Sequence, residues 1–185
     1  MKTSAALLAL CVLAAAPAAA QQPSGLAAQQ GAQMGTGGGM EKPSTAAFVE
    51  DVAVGTMYEV QASKLAVEQT QRDDLKSFAQ MMIKDHSDAE AQFKAALAKS
   101  QGAPEPPRTM DSEHVRKLED LRAAQKGDAF DKAYVNAMIE AHERDLKLFQ
   151  GYARSGDAPA LKSFAEQTAP VIQRHLEHAR KLDRK

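Results

Sequence analysis

From Ser44 to the C-terminus, apolar residues recur at three- and four-residue spacing, with almost no strand-like alternation. A first long helix is expected after Ser44 or Thr45 as N-cap, running to about Gln69 with Phe48, Val52, Gly55, Ala62 and Ala66 on one stripe. A second, capped by Asp73 or Asp74, turns Leu75, Phe78, Ala79, Met82, Ala89, Phe93, Ala96 and Leu97 inward and ends at Gly102. Pro104, Pro106 and Pro107 forbid its continuation. Ser112 to about Gln125 reads as a short connector helix with Val115, Leu118 and Leu121 as its apolar contacts. A third long helix opens at Asp128 as N-cap, carries Phe130, Tyr134, Met138, Leu148, Phe149 and Tyr152, and stops near Gly156. The fourth opens with Asp157 as cap and Pro159 in its first turn, and buries Leu161, Phe164, Ala165, Ile172, Ala179 and Leu182. Pro170 is expected to kink it. The pattern predicts an all-α, up-and-down four-helix bundle with a short connector helix between two hairpins.

An internal echo supports that plan. Leu75-Lys76-Ser77-Phe78-Ala79 recurs 86 residues later as Leu161-Lys162-Ser163-Phe164-Ala165, each copy opening the second helix of a hairpin. At the same offset Glu59 aligns with Asp145.

The segment ahead of the helices has a different composition. Residues 1–20 read as a signal peptide, with Lys2, an apolar run from Ala5 to Ala16 and a small-residue cleavage site at Ala18-Ala19-Ala20. This places the protein in the periplasm, with outer-membrane association open. Residues 21–44 form a Gly-, Gln- and Ala-rich leader expected to be disordered, and residues 45–185 form the domain. Cleavage also removes Cys11, the only cysteine, so disulfide and thiolate chemistry are excluded from the mature chain. The remaining 22 basic and 24 acidic residues offer no broad positive surface, so nucleic acid is not an expected partner. No later segment has the roughly 18 uninterrupted apolar residues that a transmembrane helix needs.

Several ionisable residues nevertheless fall on the inward stripes. On a wheel of about 100° per residue, Glu59 faces the core from the first helix and His86 from the second. His142 and Asp145 do so from the third, and His175 from the fourth. An unpaired buried charge costs several kcal/mol, so these groups must pair or meet an ion. Two readings stay open here. In one, Glu59 and Asp145 hydrogen-bond the three imidazoles in a closed network, and the protein is a structural or stress-related interaction protein. In the other, Glu59, His86, His142, Asp145 and His175 bind a divalent transition metal such as zinc, copper or iron. Met82 and Met138, each one turn before an inward histidine, lean slightly toward copper, although such methionines are more often core filler. His114 and His178 are expected to face solvent, Asp85 and Asp131 to be surface and cap residues, and Tyr134 to be a core aromatic. No catalytic residues are indicated.

Phe78-Ala79-x-x-Met82-Ile83-x-Asp85-His86, then Phe130-Asp131-x-x-Tyr134, His142-Glu143, Pro170 and His175, together resemble the exported bacterial proteins of domain-of-unknown-function family 4142. That family is placed in the ferritin-like superfamily and often labelled as outer-membrane proteins. The resemblance spans roughly residues 45 to 182 and implies a ferritin-like bundle, without a substrate or catalytic residues to transfer. Ferritin-like di-iron sites use Glu-x-x-His on two helices, whereas Ile83 and Ile172 stand three residues before His86 and His175. Di-iron oxidase chemistry is therefore not expected. A second likeness, confined to Phe78, Met82, Ile83 and His86, is to small periplasmic copper-handling helical proteins.

Overall fold

The computed structural model of the protein describes residues 44–184, which form five helices and no strand. The expected signal peptide and almost all of the leader lie outside the described residues. The helices are α1 (Thr45–Gln69), α2 (Asp73–Ala98), α3 (Ser112–Ala123), α4 (Asp128–Ser155) and α5 (Pro159–Asp183). None of them is long and apolar enough to cross a membrane.

Local chemistry sets most of the helix ends, though not always through the expected side chain. Ser44 caps α1, its hydroxyl accepting from the Ala47 N–H at 3.1 Å. Arg72, rather than Asp73 or Asp74, is the N-cap of α2. The two aspartates instead occupy the first turn, where negative charge complements the helix dipole, and Asp74 pairs with the Arg72 guanidinium at 3.2 Å. Gly127 takes the cap position of α4 with φ of 92°, a conformation that suits glycine, and Asp128 becomes the first helical residue. Ala158 replaces Asp157 as the cap of α5, followed by Pro159 where a missing N–H costs little. The α5 helix continues on both sides of Pro170.

The four long helices pack in the cyclic order α1, α2, α5, α4. Two separate apolar clusters show how they run. One gathers Tyr58, Leu75, Phe78, Met82, Phe130, Tyr134, Met138 and Leu182. The other gathers Phe48, Val52, Phe93, Phe149, Tyr152, Leu161, Phe164 and Ile172. The first joins the C-terminal halves of α1 and α5 to the N-terminal halves of α2 and α4, so every long helix is antiparallel to both its neighbours. The chain leaving α2 must consequently return along the length of the bundle before α4 begins. The α3 helix rides on that return and lies against α1 and α4, with Leu118 and Leu121 entering the first cluster. Val115, expected to be an apolar contact, is 38% exposed.

The two copies of the repeated motif sit at opposite ends. Leu75 and Phe78 belong to one cluster and Leu161 and Phe164 to the other. Glu59 and Asp145, aligned at the same offset, both lie between the two clusters.

Candidate metal centre

Between the two apolar clusters each long helix contributes a polar residue. Glu59 follows Val52 and Tyr58 on α1, and His86 lies between Met82 and Phe93 on α2. On α4, His142 and Asp145 lie between Met138 and Phe149, and on α5 His175 lies between Ile172 and Ala179. All five are buried. Helical spacing produces this layer, because each residue sits on its apolar stripe where the two-cluster core is interrupted.

The three histidines converge. Each brings one ligating atom within 4.8 Å of the other two. Their ring centroids are 5.9 Å apart for His86 and His142, 5.7 Å for His86 and His175, and 5.4 Å for His142 and His175. One nitrogen of each ring is turned to an oxygen. His142 Nδ1 donates to the Met138 carbonyl at 2.8 Å and lies 3.1 Å from Glu59 Oε1. His86 Nδ1 is 3.5 Å from Glu59 Oε2, and His175 Nε2 is 3.0 Å from Asp85 Oδ2. The opposite nitrogens, His86 Nε2, His142 Nε2 and His175 Nδ1, are buried without a hydrogen-bond partner. Metal-ligating imidazoles likewise have their second nitrogen held by a carboxylate or carbonyl, which fixes tautomer and ring orientation.

The electrostatics suit neutral ligands. Burial, followed by the neighbouring histidines, pushes His86 and His142 down to about 3, and burial lowers His175 against the opposing pull of Asp85. Their lone pairs are thus unprotonated near neutrality. Burial, reinforced by Asp145, holds Glu59 well above the usual carboxylate range despite Arg144. Burial likewise raises Asp145 to about 6, opposed by Arg144, whose Nε is 3.5 Å away. Neither Glu59 oxygen has a well-directed hydrogen bond, although both are within ion-pair reach of an imidazole.

The structure therefore gathers His86, His142 and His175, sets Glu59 behind two of the rings, and places Asp145 against Arg144. Asp85 corrects its expected role as a surface residue, since it orients His175 from the adjacent helix. One position before an inward histidine, a side chain points about 100° off the stripe, toward the neighbouring helix. His114 also departs from expectation. It is buried, its Nδ1 2.9 Å and 3.0 Å from the two Asp111 carboxylate oxygens, while Nε2 accepts from Arg144 at 3.2 Å. The Asp111-x-x-His114 spacing is a capping signal for this contact: Asp111 Oδ1 also accepts the His114 N–H. His178 is half-buried, its ring 5.0 Å from that of Phe78. Asp131 is buried too, with Oδ1 unpartnered. Tyr134 is the expected core aromatic, its hydroxyl sharing a 2.8 Å hydrogen bond with Ser63.

A cavity of about 760 Å³ opens beside this layer. Glu59, His86, Asp145 and His175 line it together with Val52, Phe93, Phe149, Phe164 and Ile172, and the loop 103–108 borders it.

Residues 16–182 match the family model described as "Domain of unknown function (DUF4142)", and the chain belongs to that family. No curated protein matches the chain. Among solved structures it is similar to the protein described as "CopM in the Cu(II)-bound form", with a TM-score of 0.64 and 15% identity. That likeness covers 77% of this chain and 97% of the other, and shows a shared fold.

Proposed function

We propose that this member of the DUF4142 family is an exported helical-bundle protein that binds one divalent transition metal ion through His86, His142 and His175. The observation that carries the reading is the set of three buried ring nitrogens without hydrogen-bond partners, one on each converging imidazole. With metal–nitrogen bonds of about 2.0–2.1 Å, a tetrahedral site has nitrogen–nitrogen edges of about 3.4 Å. A triad spaced at up to 4.8 Å reaches this when each nitrogen moves inward by less than about 1 Å. Glu59 and Asp85 orient the rings and supply compensating negative charge for a dication. Neutral imidazoles suit copper, zinc and iron, and the affinity order of divalent ions places copper first. The copper-bound structural neighbour is consistent with that order.

The test is metal content and metal-dependent melting of residues 21–185, compared with the H86A/H142A/H175A variant. One equivalent of metal and a melting increase lost in the variant support the proposal. No metal and no shift support the second reading, which the Glu59–His142 and Asp85–His175 contacts favour. In it the layer is a closed polar network and a partner binds the surface, as in a structural or stress-related interaction protein.

A further inference from the structure

We infer that the cavity beside the histidine layer is a binding site for a small aromatic or alkyl molecule whose neutral nitrogen head completes the coordination of the metal. The inference rests on the metal reading above and adds the chemical class of a second ligand.

The cleft of about 760 Å³, open to solvent at its mouth, falls within the size range of small-molecule sites. Val52, Phe93, Phe149, Phe164 and Ile172 form an apolar part of its lining, and Glu59, His86 and His175 bring polar groups to it from the histidine layer. A ligand with an apolar body and one ligating atom matches that division. Three protein nitrogens leave a fourth position on a tetrahedral ion, and two of the three histidines line the cavity.

Charge selects the head group. Glu59 stands behind two of the rings and Asp85 behind the third, so a dication held by the imidazoles already has two carboxylates beside it. An anionic head adds uncompensated negative charge in a buried place, whereas an imidazole or amine adds none. The mouth carries Lys64, Lys94 and Arg108 beside Asp85, Glu90 and Glu105, a mixture that gives no net preference for a charged body.

The experiment first measures metal stoichiometry on the mature chain, then titrates the metal-loaded protein with imidazole, 4-phenylimidazole and benzoate by calorimetry. The expected result is 4-phenylimidazole binding at least tenfold tighter than imidazole, with benzoate weaker than both. Ala53→Phe and Leu97→Trp, two cavity-lining changes on different helices, should each remove that advantage while keeping one equivalent of metal. Circular dichroism confirms that each variant is folded, and two independent positions guard against one failing. Metal binding without a phenyl advantage, or an advantage that survives both fillings, overturns the cavity site and leaves the metal centre standing. Benzoate binding as tightly as 4-phenylimidazole overturns the neutral head group. Absence of bound metal overturns the metal reading itself and the coordinated head with it.

Discussion

Asp85→Asn is the sharpest test of how the centre is held, because it keeps the shape of the side chain and removes only its charge. Asp85 Oδ2 lies 3.0 Å from His175 Nε2, with the imidazole 4% exposed and the carboxylate 32% exposed. A ring that donates outward through Nε2 leaves its Nδ1 lone pair for the proposed ion. A carboxylate behind a metal-ligating histidine typically contributes 10- to 100-fold to affinity. Asp85 is nearly one-third exposed, so solvent screening points to the lower end, about 10- to 30-fold or ~1.4–2 kcal/mol. In the metal-free protein the same pair is worth about 0.2–1 kcal/mol, or a melting decrease of up to about 4 °C. Competition titration against a chromophoric chelator measures the first quantity and thermal melting without metal the second. A merely structural contact lowers melting equally with and without metal, whereas an orienting one lowers it more in the loaded protein. An affinity within twofold of wild type in a folded Asp85→Asn protein refutes the orienting role.

Glu59→Gln should make the metal-free protein more stable at pH 8 by ~1 kcal/mol or more while weakening metal binding. The native carboxyl is held above its unfolded value, so its stabilisation is full below pH 4.5 and lost as pH rises through the folded value. Urea unfolding at pH 4 and pH 8 checks this, and a wild type more stable than the variant at pH 8 contradicts it. His86 and His142 have the opposite sign: lowered to about 3, they give stability that is complete above pH 6.5 and declines as pH falls toward 3. Each contributes up to ~1.4 kcal/mol per pH unit in that window, and a His86→Asn, His142→Asn protein should show a flatter acid slope in urea midpoints. An unchanged slope means that the rings take up protons in the folded state. Asp111→Ala removes the α3 cap and the His114 clamp together, at about 0.5–2 kcal/mol, and faster hydrogen exchange should be confined first to α3.

The bundle was legible because its signals are repetitive. Residues such as Leu75, Phe78 and Met82 recur at helical spacing, and the same periodicity that aims them inward aims His86. The inward position of Glu59, His142, Asp145 and His175 follows from that one geometric rule. What one helix cannot reveal is its partner across an interface. Asp85 lies off the stripe and acquires its role only because α5 brings His175 within reach. His114 reads as solvent-facing on α3 alone, and Arg144 and Tyr58 bury it only once α3 packs on α1 and α4. The caps of α2, α4 and α5 fell to Arg72, Gly127 and Ala158 instead of the neighbouring aspartates, since backbone conformation at the preceding turn decides that position. The cavity had no sequence signal, because it depends on how four stripes fail to fill the space between them.

A count of hydrogens sharpens the contrast between the metal reading and a closed network. His142 Nδ1 carries a hydrogen to the Met138 carbonyl, so its Nε2 is an acceptor. If His175 donates through Nε2 to Asp85, its Nδ1 is an acceptor as well. If His86 donates toward Glu59 through Nδ1, its buried Nε2 is a third acceptor. Three lone pairs cannot satisfy one another, and a single water supplies only two hydrogens. Without a cation, closing the network takes more than one water from the adjoining cavity, or a ring that reverses its tautomer and accepts from the protonated Glu59 carboxyl. One cation in the proposed site would accept all three lone pairs with every outer contact kept.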